Sequence, residues 1–292
     1  MENQANMSVQ SLNQNKREEL ISSYQNKSMH LSPSKIKAFY EGGPKGLLDY
    51  SLVDKGLKTI YNEGNAIELK LMAPDDFENA ILIMDPNSRP DTNVGMTGKK
   101  NQAWKKELIL KADTEGKIYL EKEALDKINA TAKELKNNIF IQKHFEMINE
   151  IQTKVEFDLF GWKILGYLDG LGQIIFDLKY SSTKTSVSKT IQQFWKLKYW
   201  LPATIYHHGI KQLDGRDLPV IYGTIDQNKS YFPFEIDPNI LTWGMGKIET
   251  TINNLERCIK DDLWHMGEEF FFMGSNSHTI PLMLPEWAKQ KM

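Results

Sequence analysis

The chain has 292 residues, enough for one large domain or two small ones with a buried core. Its 36 Lys and Arg residues and 38 Asp and Glu residues give a net charge of −2, which excludes a uniformly basic coat of the histone or ribosomal kind but not a local basic groove. Hydrophobic residues make up 40% of the chain, which is too many for a largely disordered protein. The single cysteine, Cys258, excludes an intrachain disulfide, a zinc ribbon and a four-cysteine iron–sulfur cluster, and it favours a reducing, cytoplasmic setting.

The N-terminal 30 residues are polar and show no sustained apolar period. We therefore expect a flexible arm over residues 1–30. The arm lacks the apolar core of a signal peptide, and no apolar run in the chain approaches the ~18 residues that span a bilayer. Export and membrane functions are not expected.

Helices dominate the first half of the chain. Ser32 is a plausible N-cap with Pro33 at the first helical position, and Gly42 and Gly43 are expected to end this helix. Further helices are predicted over 59–72, 99–112, 121–136 and 138–150, with an exposed loop over 85–98.

Strands become prominent after Gln152. The period-two pattern predicts strands over 152–160, 162–170 and 172–180, a long helix over 189–208 kinked by Pro202, strands near 218–225 and 229–235, and a helix over 238–261. This order predicts an α/β fold, a mixed central sheet of about five strands flanked by helices, spanning residues 31–263. The apolar segment 264–292 is expected to pack on this domain or on a neighbouring subunit.

The most informative residues lie around the third predicted strand. Asp177 and Lys179 are two residues apart, so their side chains share one face of a strand. A tight turn that pairs Asp169 with Ile175 would bring Asp169 to the same face. Two carboxylates and the Leu178 carbonyl are oxygen ligands suited to Mg²⁺ or Mn²⁺, and Lys179 could orient or deprotonate the attacking water.

A different interpretation is that Asp177 and Lys179 lie on a solvated strand face, where an Asp-apolar-Lys tripeptide is common. The flanking apolar runs favour a central, buried strand instead. Charges buried there need one another or a metal.

These motifs resemble the PD-(D/E)XK nuclease superfamily. Its Asp and its (Asp/Glu)-X-Lys signature are matched by Asp169 and by Asp177-Leu178-Lys179. The segments LSPSKIKAFY and GNAIELKLMAP, the latter from Gly64 to Pro74, are similar to helices of the exodeoxyribonuclease VIII and lambda-exonuclease-like branch. The resemblance implies a restriction-endonuclease-like core, with Glu68 as a metal ligand and Glu156 on the first core strand as a further catalytic residue.

Two positions depart from the pattern of this branch. Glu68 stands where the branch has a metal-binding histidine, and Pro202 stands four residues before Tyr206, where the branch has a glutamine that Gln192 or Gln193 could replace. Both glutamates also have structural interpretations: Glu68 as a solvent-facing helix residue, and Glu156 as the polar side of an amphipathic strand.

The segment after the predicted catalytic strand mixes lysines, hydroxyls and aromatic residues. One interpretation places the aromatic side chains in the core, with the lysines exposed to solvent beside them. The other assigns contacts with DNA to this segment, through Ser181, Ser182, Thr183, Lys184, Lys189, Gln193, Lys196 and Tyr206.

Taken with the resemblance, these residues predict a magnesium- or manganese-dependent DNA exonuclease, of the kind used in phage-type recombination. A structure-specific endonuclease, a nuclease-like domain without activity that binds DNA or assists assembly, and an unrelated α/β protein with an accidental acid pair stay open. The resemblance also implies DNA as a partner, a single-strand annealing protein as a second partner, and assembly of identical subunits.

Overall fold

The computed structural model describes residues 2–52 and 59–272 of the chain. The helices are α1 (Glu2–Gln25), α2 (Pro33–Leu52), α3 (Thr59–Met72), α4 (Pro74–Ala80), α5 (Lys99–Thr114), α6 (Lys122–Leu135), α7 (Ile139–Glu146), α8 (Val187–Lys196), α9 (Trp200–Asp214) and α10 (Pro238–Asp261). The strands are β1 (Ile81–Met84), β2 (Ile118–Glu121), β3 (Ile148–Leu159), β4 (Trp162–Gly172), β5 (Ile175–Ser181), β6 (Val220–Asp226) and β7 (Tyr231–Glu235).

A five-stranded mixed sheet with the order β3-β4-β5-β6-β7 forms the centre of the fold. Only β5 and β6 are parallel to each other; the other neighbouring pairs are antiparallel. The α/β prediction with about five central strands is confirmed. A second, two-stranded parallel sheet of β1 and β2 was not predicted, because four-residue strands are too short to show a clear period.

Alternation along β5 explains how the central strand is fixed. Phe176 and Leu178 are buried in an apolar cluster that also contains Ala66 and Ile67 of α3. Asp177 and Lys179 take the intervening positions and are only half-buried. Because side chains alternate along a strand, burying the apolar pair directs the charged pair to the opposite side.

The chain divides into two compact units. The larger one contains residues 30–33 and 59–249, with both sheets. The smaller one includes α1, α2 and the second half of α10 from Thr250; within it, the rings of Tyr24 and Trp264 stack with centroids 5.6 Å apart. The division at residues 30 and 263 inferred from the sequence stays a prediction, and residues 273–292 of its C-terminal segment lie outside the described residues.

Two of the predicted helices differ from those in the structure. The helix that begins at Pro33 bends at Gly43, whose φ is +63°, and continues to Leu52 instead of ending at the glycines. The long helix after β5 breaks at Lys198, which has φ +55°, rather than at Pro202. Pro202 lies in the first turn of α9, where a missing backbone N–H costs little because that group has no partner within the helix.

None of the described helices is both long enough and apolar enough to cross a bilayer.

The close approach of α9 to β3 predicts opposite effects for two glycine substitutions. A Cβ at Gly209 would lie 2.3 Å from a ring carbon of Phe157, whereas a Cβ at Gly246 on α10 would have no heavy atom within 4 Å. We expect Gly209→Ala to lower the free energy of unfolding by about 1–3 kcal/mol through overpacking. Gly246→Ala should raise it by up to about 1 kcal/mol, because alanine favours helix more than glycine does.

Urea denaturation of both variants measures these changes. A Gly209→Ala protein as stable as the wild type would contradict the contact between α9 and β3.

Candidate active site

The site is built where β4 and β5 separate. The two strands share only the pairs Gly170 with Phe176 and Leu171 with Ile175, so the next residues outward are Asp169 and Asp177. The register differs by two residues from the predicted one, which paired Asp169 with Ile175, and the turn lies at residues 173–174. A shift of two residues keeps the same strand face, because side chains alternate with a period of two.

Asp169 replaces a backbone contact between the separating strands. Its Oδ2 accepts a hydrogen bond of 2.8 Å from the backbone N–H of Leu178. This bond fixes the carboxylate against β5 at the point where the regular ladder between the strands has ended.

Lys179 joins the two aspartates. Its Nζ lies 2.8 Å from Oδ2 of Asp177 and 3.6 Å from Oδ2 of Asp169, and it donates a hydrogen bond of 3.2 Å to the Leu178 carbonyl. The three side chains are at most about one-third exposed. The structure therefore brings together the aspartates and the lysine singled out from the sequence.

Glu68 reaches the same group of charges from helix α3. Its carboxyl group is hydrogen-bonded to that of Asp169 and also contacts the side-chain amide of Gln152 on β3. Gly64, one turn earlier on α3, would place a Cβ 3.7 Å from Tyr180 of β5, so the helix lies close to the strand. This closeness lets a glutamate of α3 extend to the end of β4.

The crowding of carboxylates changes their protonation. Burial, together with the charge of Asp169, raises the pKa of Glu68 to about 9. Burial raises the pKa of Asp177 to about 6, against the opposing effect of Lys179. Burial alone would lower the pKa of Lys179, but the charges of Asp177 and Asp169 raise it well above its usual value. The lysine is therefore a fixed cation surrounded by carboxylates.

Two tyrosines border these charges. Burial and the charges of Asp177 and Asp169 raise the pKa of Tyr206 on α9, and burial raises that of Tyr222 on β6, which pairs with Asp177 in the sheet. The ring of Tyr206 lies so close to Gly166 that a Cβ there would be 2.6 Å away. Both phenols therefore stay neutral beside the charged group.

Glu156, predicted to be catalytic, is not brought to this group. It is exposed on β3 opposite Leu165, and it pairs with Lys154 and His30. Its pKa is lowered, first by the hydrogen bond from Lys154. Glu156 lies four residues beyond Gln152 on β3, a distance of about 13 Å along the strand. It is therefore too far along β3 to join Gln152 at Glu68.

Gln152 was missed by the sequence analysis. It has a left-handed backbone, with φ +49°, between two residues that pair with Gly170 and Leu168 of β4. Its position opposite Asp169 depends on the register of the β3–β4 hairpin. No local pattern in the sequence carries that information.

The residues predicted to contact DNA occupy the end of β5, the following loop, α8 and α9. Ser182, Thr183, Lys184, Lys189 and Lys196 are exposed, whereas Ser181, Gln193 and Tyr206 are half-buried. The loop is anchored at Thr185, whose N–H donates to Oδ2 of the buried Asp226 at 3.0 Å. The exposed side chains therefore stand on a fixed stretch of backbone directly after Lys179.

The chemistry of the donor set fits a hard divalent cation. Three carboxyl groups and one backbone carbonyl are oxygen donors, and the two aspartates alone carry more negative charge than the ammonium of Lys179 balances. Within residues 2–52 and 59–272, however, no three His, Cys, Asp or Glu side chains are already arranged to enclose a metal ion. A metal would therefore require some of these side chains to turn.

Comparisons with known proteins give a similar fold. No family model and no curated protein matches the chain. A solved structure from Eubacterium rectale named "Putative exonuclease" aligns over 90% of this chain and 92% of its own, with a TM-score of 0.57 and 15% identity. The alkaline exonuclease LHK-Exo of Laribacter hongkongensis aligns over 65% of this chain and 96% of its own, with a TM-score of 0.28 and 15% identity. The structure of LHK-Exo in complex with dAMP aligns over 70% of this chain and 93% of its own, with a TM-score of 0.27 and 12% identity.

The contacts of Lys179 predict its effect on stability. Lys179→Met keeps the length of the side chain but leaves the carboxylates of Asp169 and Asp177 without their cation. We expect the free energy of unfolding in EDTA to fall by about 1–3 kcal/mol, because unpaired buried charges are costly. Lys189→Met, at an exposed position of α8, is the matched control and should change stability by less than about 0.5 kcal/mol.

Urea denaturation monitored by circular dichroism tests both variants. Equal stabilities of the Lys179→Met and Lys189→Met proteins would show that the ammonium does not stabilise the carboxylates.

Proposed function

We propose that the protein is a metal-dependent DNA exonuclease that hydrolyses phosphodiester bonds from a duplex end. The convergence of Asp169, Asp177 and Lys179 at the separation of β4 and β5 is the observation that carries this proposal. The similar fold of the Eubacterium rectale protein, whose printed name is that of an exonuclease, supports it.

The metal would be Mg²⁺ or Mn²⁺, held by Glu68, Asp169, Asp177 and the carbonyl of Leu178. When bound, such an ion supplies positive charge that stabilises the charge developing on a phosphate and lowers the pKa of water. The hydrogen bond from the Leu178 N–H holds Asp169 in place, and the contact with Gln152 restricts Glu68.

Lys179 would act in the chemical step. Its ammonium is held at the carboxylates by Asp177 and by the Leu178 carbonyl, so it needs little rearrangement to donate a hydrogen bond to a phosphate oxygen or to the attacking water. The neutral phenol of Tyr206 at the same site would add an uncharged donor toward the substrate.

DNA would be held by the loop and helix that follow Lys179. Ser182, Thr183, Lys184, Lys189 and Lys196 are exposed there, and hydroxyls and ammonium groups are typical phosphate contacts. A single-strand annealing protein and a ring of identical subunits are further proposals that rest on the resemblance of the sequence motifs. A cytoplasmic location is a further proposal that rests on the single cysteine.

End-labelled linear duplex and covalently closed circular DNA, each with Mg²⁺ or with EDTA, test the proposed activity. An exonuclease degrades only the linear DNA, and only with the metal. Cleavage of the circle would indicate an endonuclease on the same fold, and DNA binding without any cleavage would indicate a nuclease-like binding module.

Substitution of Lys179 tests the proposed site. We expect Lys179→Ala to lower the cleavage rate at least about 100-fold while duplex affinity in Ca²⁺ changes less than about threefold, because binding rests on many phosphate contacts. Circular dichroism checks that the variant is folded at the assay temperature. Lys133→Ala, at an exposed position of α6 outside the proposed DNA surface, is the control that should keep the cleavage rate.

An equal loss of DNA affinity and of cleavage in Lys179→Ala would show that this lysine anchors DNA instead of acting in the chemical step.

The dependence of affinity on salt tests the proposed DNA surface. Replacing Lys184, Lys189 and Lys196 together with alanine should reduce the slope of log affinity against log salt by about two to three units, since each phosphate contact contributes about 0.9. The matched control replaces Lys127, Lys133 and Lys136, which are exposed on or just after α6.

Anisotropy titrations of a labelled duplex between about 50 and 200 mM salt give the slopes. If the α6 control flattened the slope and the first variant did not, DNA would enter by another face.

A further inference from the structure

The segment that follows the catalytic strand carries only positive charge. No Asp or Glu occurs between Asp177 and Asp214, whereas the same stretch contains six lysines, at positions 179, 184, 189, 196, 198 and 211. Lys179 and Lys211 are paired with aspartates. In the described part of the chain, the exposed Lys184, Lys189 and Lys196 have no carboxylate partner.

The same segment exposes apolar side chains in a regular pattern. Val187, Ile191 and Trp195 follow one another at intervals of four residues along α8, and they are 54%, 43% and 41% exposed. Residues four apart lie on one face of a helix. An amphipathic helix normally buries its apolar stripe, yet here Thr190 and Phe194 are the buried residues and the stripe beside them is open to solvent.

Trp243, in the part of α10 that belongs to the larger unit, extends this stripe. Its ring meets that of Trp195 edge to face with centroids 5.9 Å apart, and it is 44% exposed. The ammonium of Lys247 lies 5.7 Å from its ring centre. We call Trp195 and Trp243 the tryptophan platform.

The tryptophan platform is connected to the candidate active site through packed rings. Phe194, next to Trp195, meets Tyr222 with ring centroids 5.4 Å apart, and Tyr222 pairs with Asp177 in the sheet. On its other side, Trp243 rests on the fully buried Trp200 at 4.8 Å. The platform is therefore held rigidly at a fixed position relative to the carboxylates.

We propose that the tryptophan platform binds single-stranded DNA beside the active site. Unpaired bases offer flat faces that stack on aromatic rings, and their phosphates need nearby cations. A base-paired duplex hides those faces. An apolar surface for a protein partner would explain the tryptophans, but the unpaired Lys189 and Lys196 next to them favour a polyanion.

This inference rests on the proposed function only in taking DNA as the substrate. It assigns the bases of an unpaired strand to the tryptophan platform, beside the lysines of α8 that the proposed function gives to DNA phosphates. Val187 and Ile191 extend the apolar stripe along which further bases would lie.

Fluorescence anisotropy with labelled (dT)12 in EDTA tests the platform without cleavage. We expect Trp195→Ala to weaken (dT)12 binding about tenfold, which is the usual scale for loss of one stacking residue. Trp195→Phe should restore most of the affinity, because it keeps an aromatic ring. The affinity for a blunt hairpin duplex should change less than about twofold in both variants.

Phe140→Ala is the matched control, since Phe140 on α7 is 61% exposed and is also aromatic. It should leave (dT)12 binding unchanged. No (dT)12 binding by the wild type, equal weakening by Phe140→Ala, or unchanged binding by Trp195→Ala would each overturn the proposal. A drop in self-association of Trp195→Ala with unchanged (dT)12 binding, seen by sedimentation, would instead assign the platform to contact between copies.

These outcomes are separable from those of the nuclease proposal. If the wild type cleaves no DNA but binds (dT)12, and Trp195→Ala weakens that binding, the platform proposal stands and the nuclease proposal fails. If the wild type cleaves linear DNA and Trp195→Ala binds (dT)12 as well as the wild type does, the nuclease proposal stands and the platform proposal fails.

Discussion

The ion pair of Lys179 with Asp177 and Asp169 is the interaction on which the arrangement of the site depends. Charges that are largely removed from water are stable only when they are paired or hydrogen-bonded. Moving Lys179 away would leave two carboxylates without a cation, and separating the carboxylates would leave the lysine without its partners. The end of β4 and the middle of β5 are thereby held together just where their backbone ladder stops. The same crowding acts on Glu68, which brings a third carboxyl group to the site and whose pKa is raised to about 9 by burial and by the charge of Asp169.

The rest of the larger unit supports this interaction from two sides. On one side, Phe176 and Leu178 anchor β5 in the apolar cluster that includes α3, and α3 in turn carries Glu68. On the other, the ring of Tyr222 meets Phe194 edge to face and lies tilted against Tyr199, which links β6 to α8 and to the start of α9. Movement of either layer would therefore change the distances among the charged groups. A site built in this way combines a rigid base with an exposed, lysine-rich border.

Much of the fold was predictable because its elements have clear periods. Alternation in β3 to β5 and the apolar spacing of α3, α5 and α6 gave elements close to those observed. The strands β1 and β2 were missed because four residues are too few to define a period. The break before α9 was placed at Pro202, since proline usually interrupts a helix. The chain instead turns at Lys198, through a left-handed conformation that no residue type at that position signals.

The sequence alone determined that Asp177 and Lys179 share one face of a strand, because side-chain direction along a strand has a period of two. It also placed Asp169 on that face, since a register error of two residues does not change the face. Only the tertiary structure decided which other residues join them. Glu156 and Gln152 lie on one strand, and the register of a hairpin, not any local pattern, places Gln152 at Glu68 and leaves Glu156 in solvent. Strand register depends on contacts between residues far apart in the chain, so local patterns in a single sequence do not predict it.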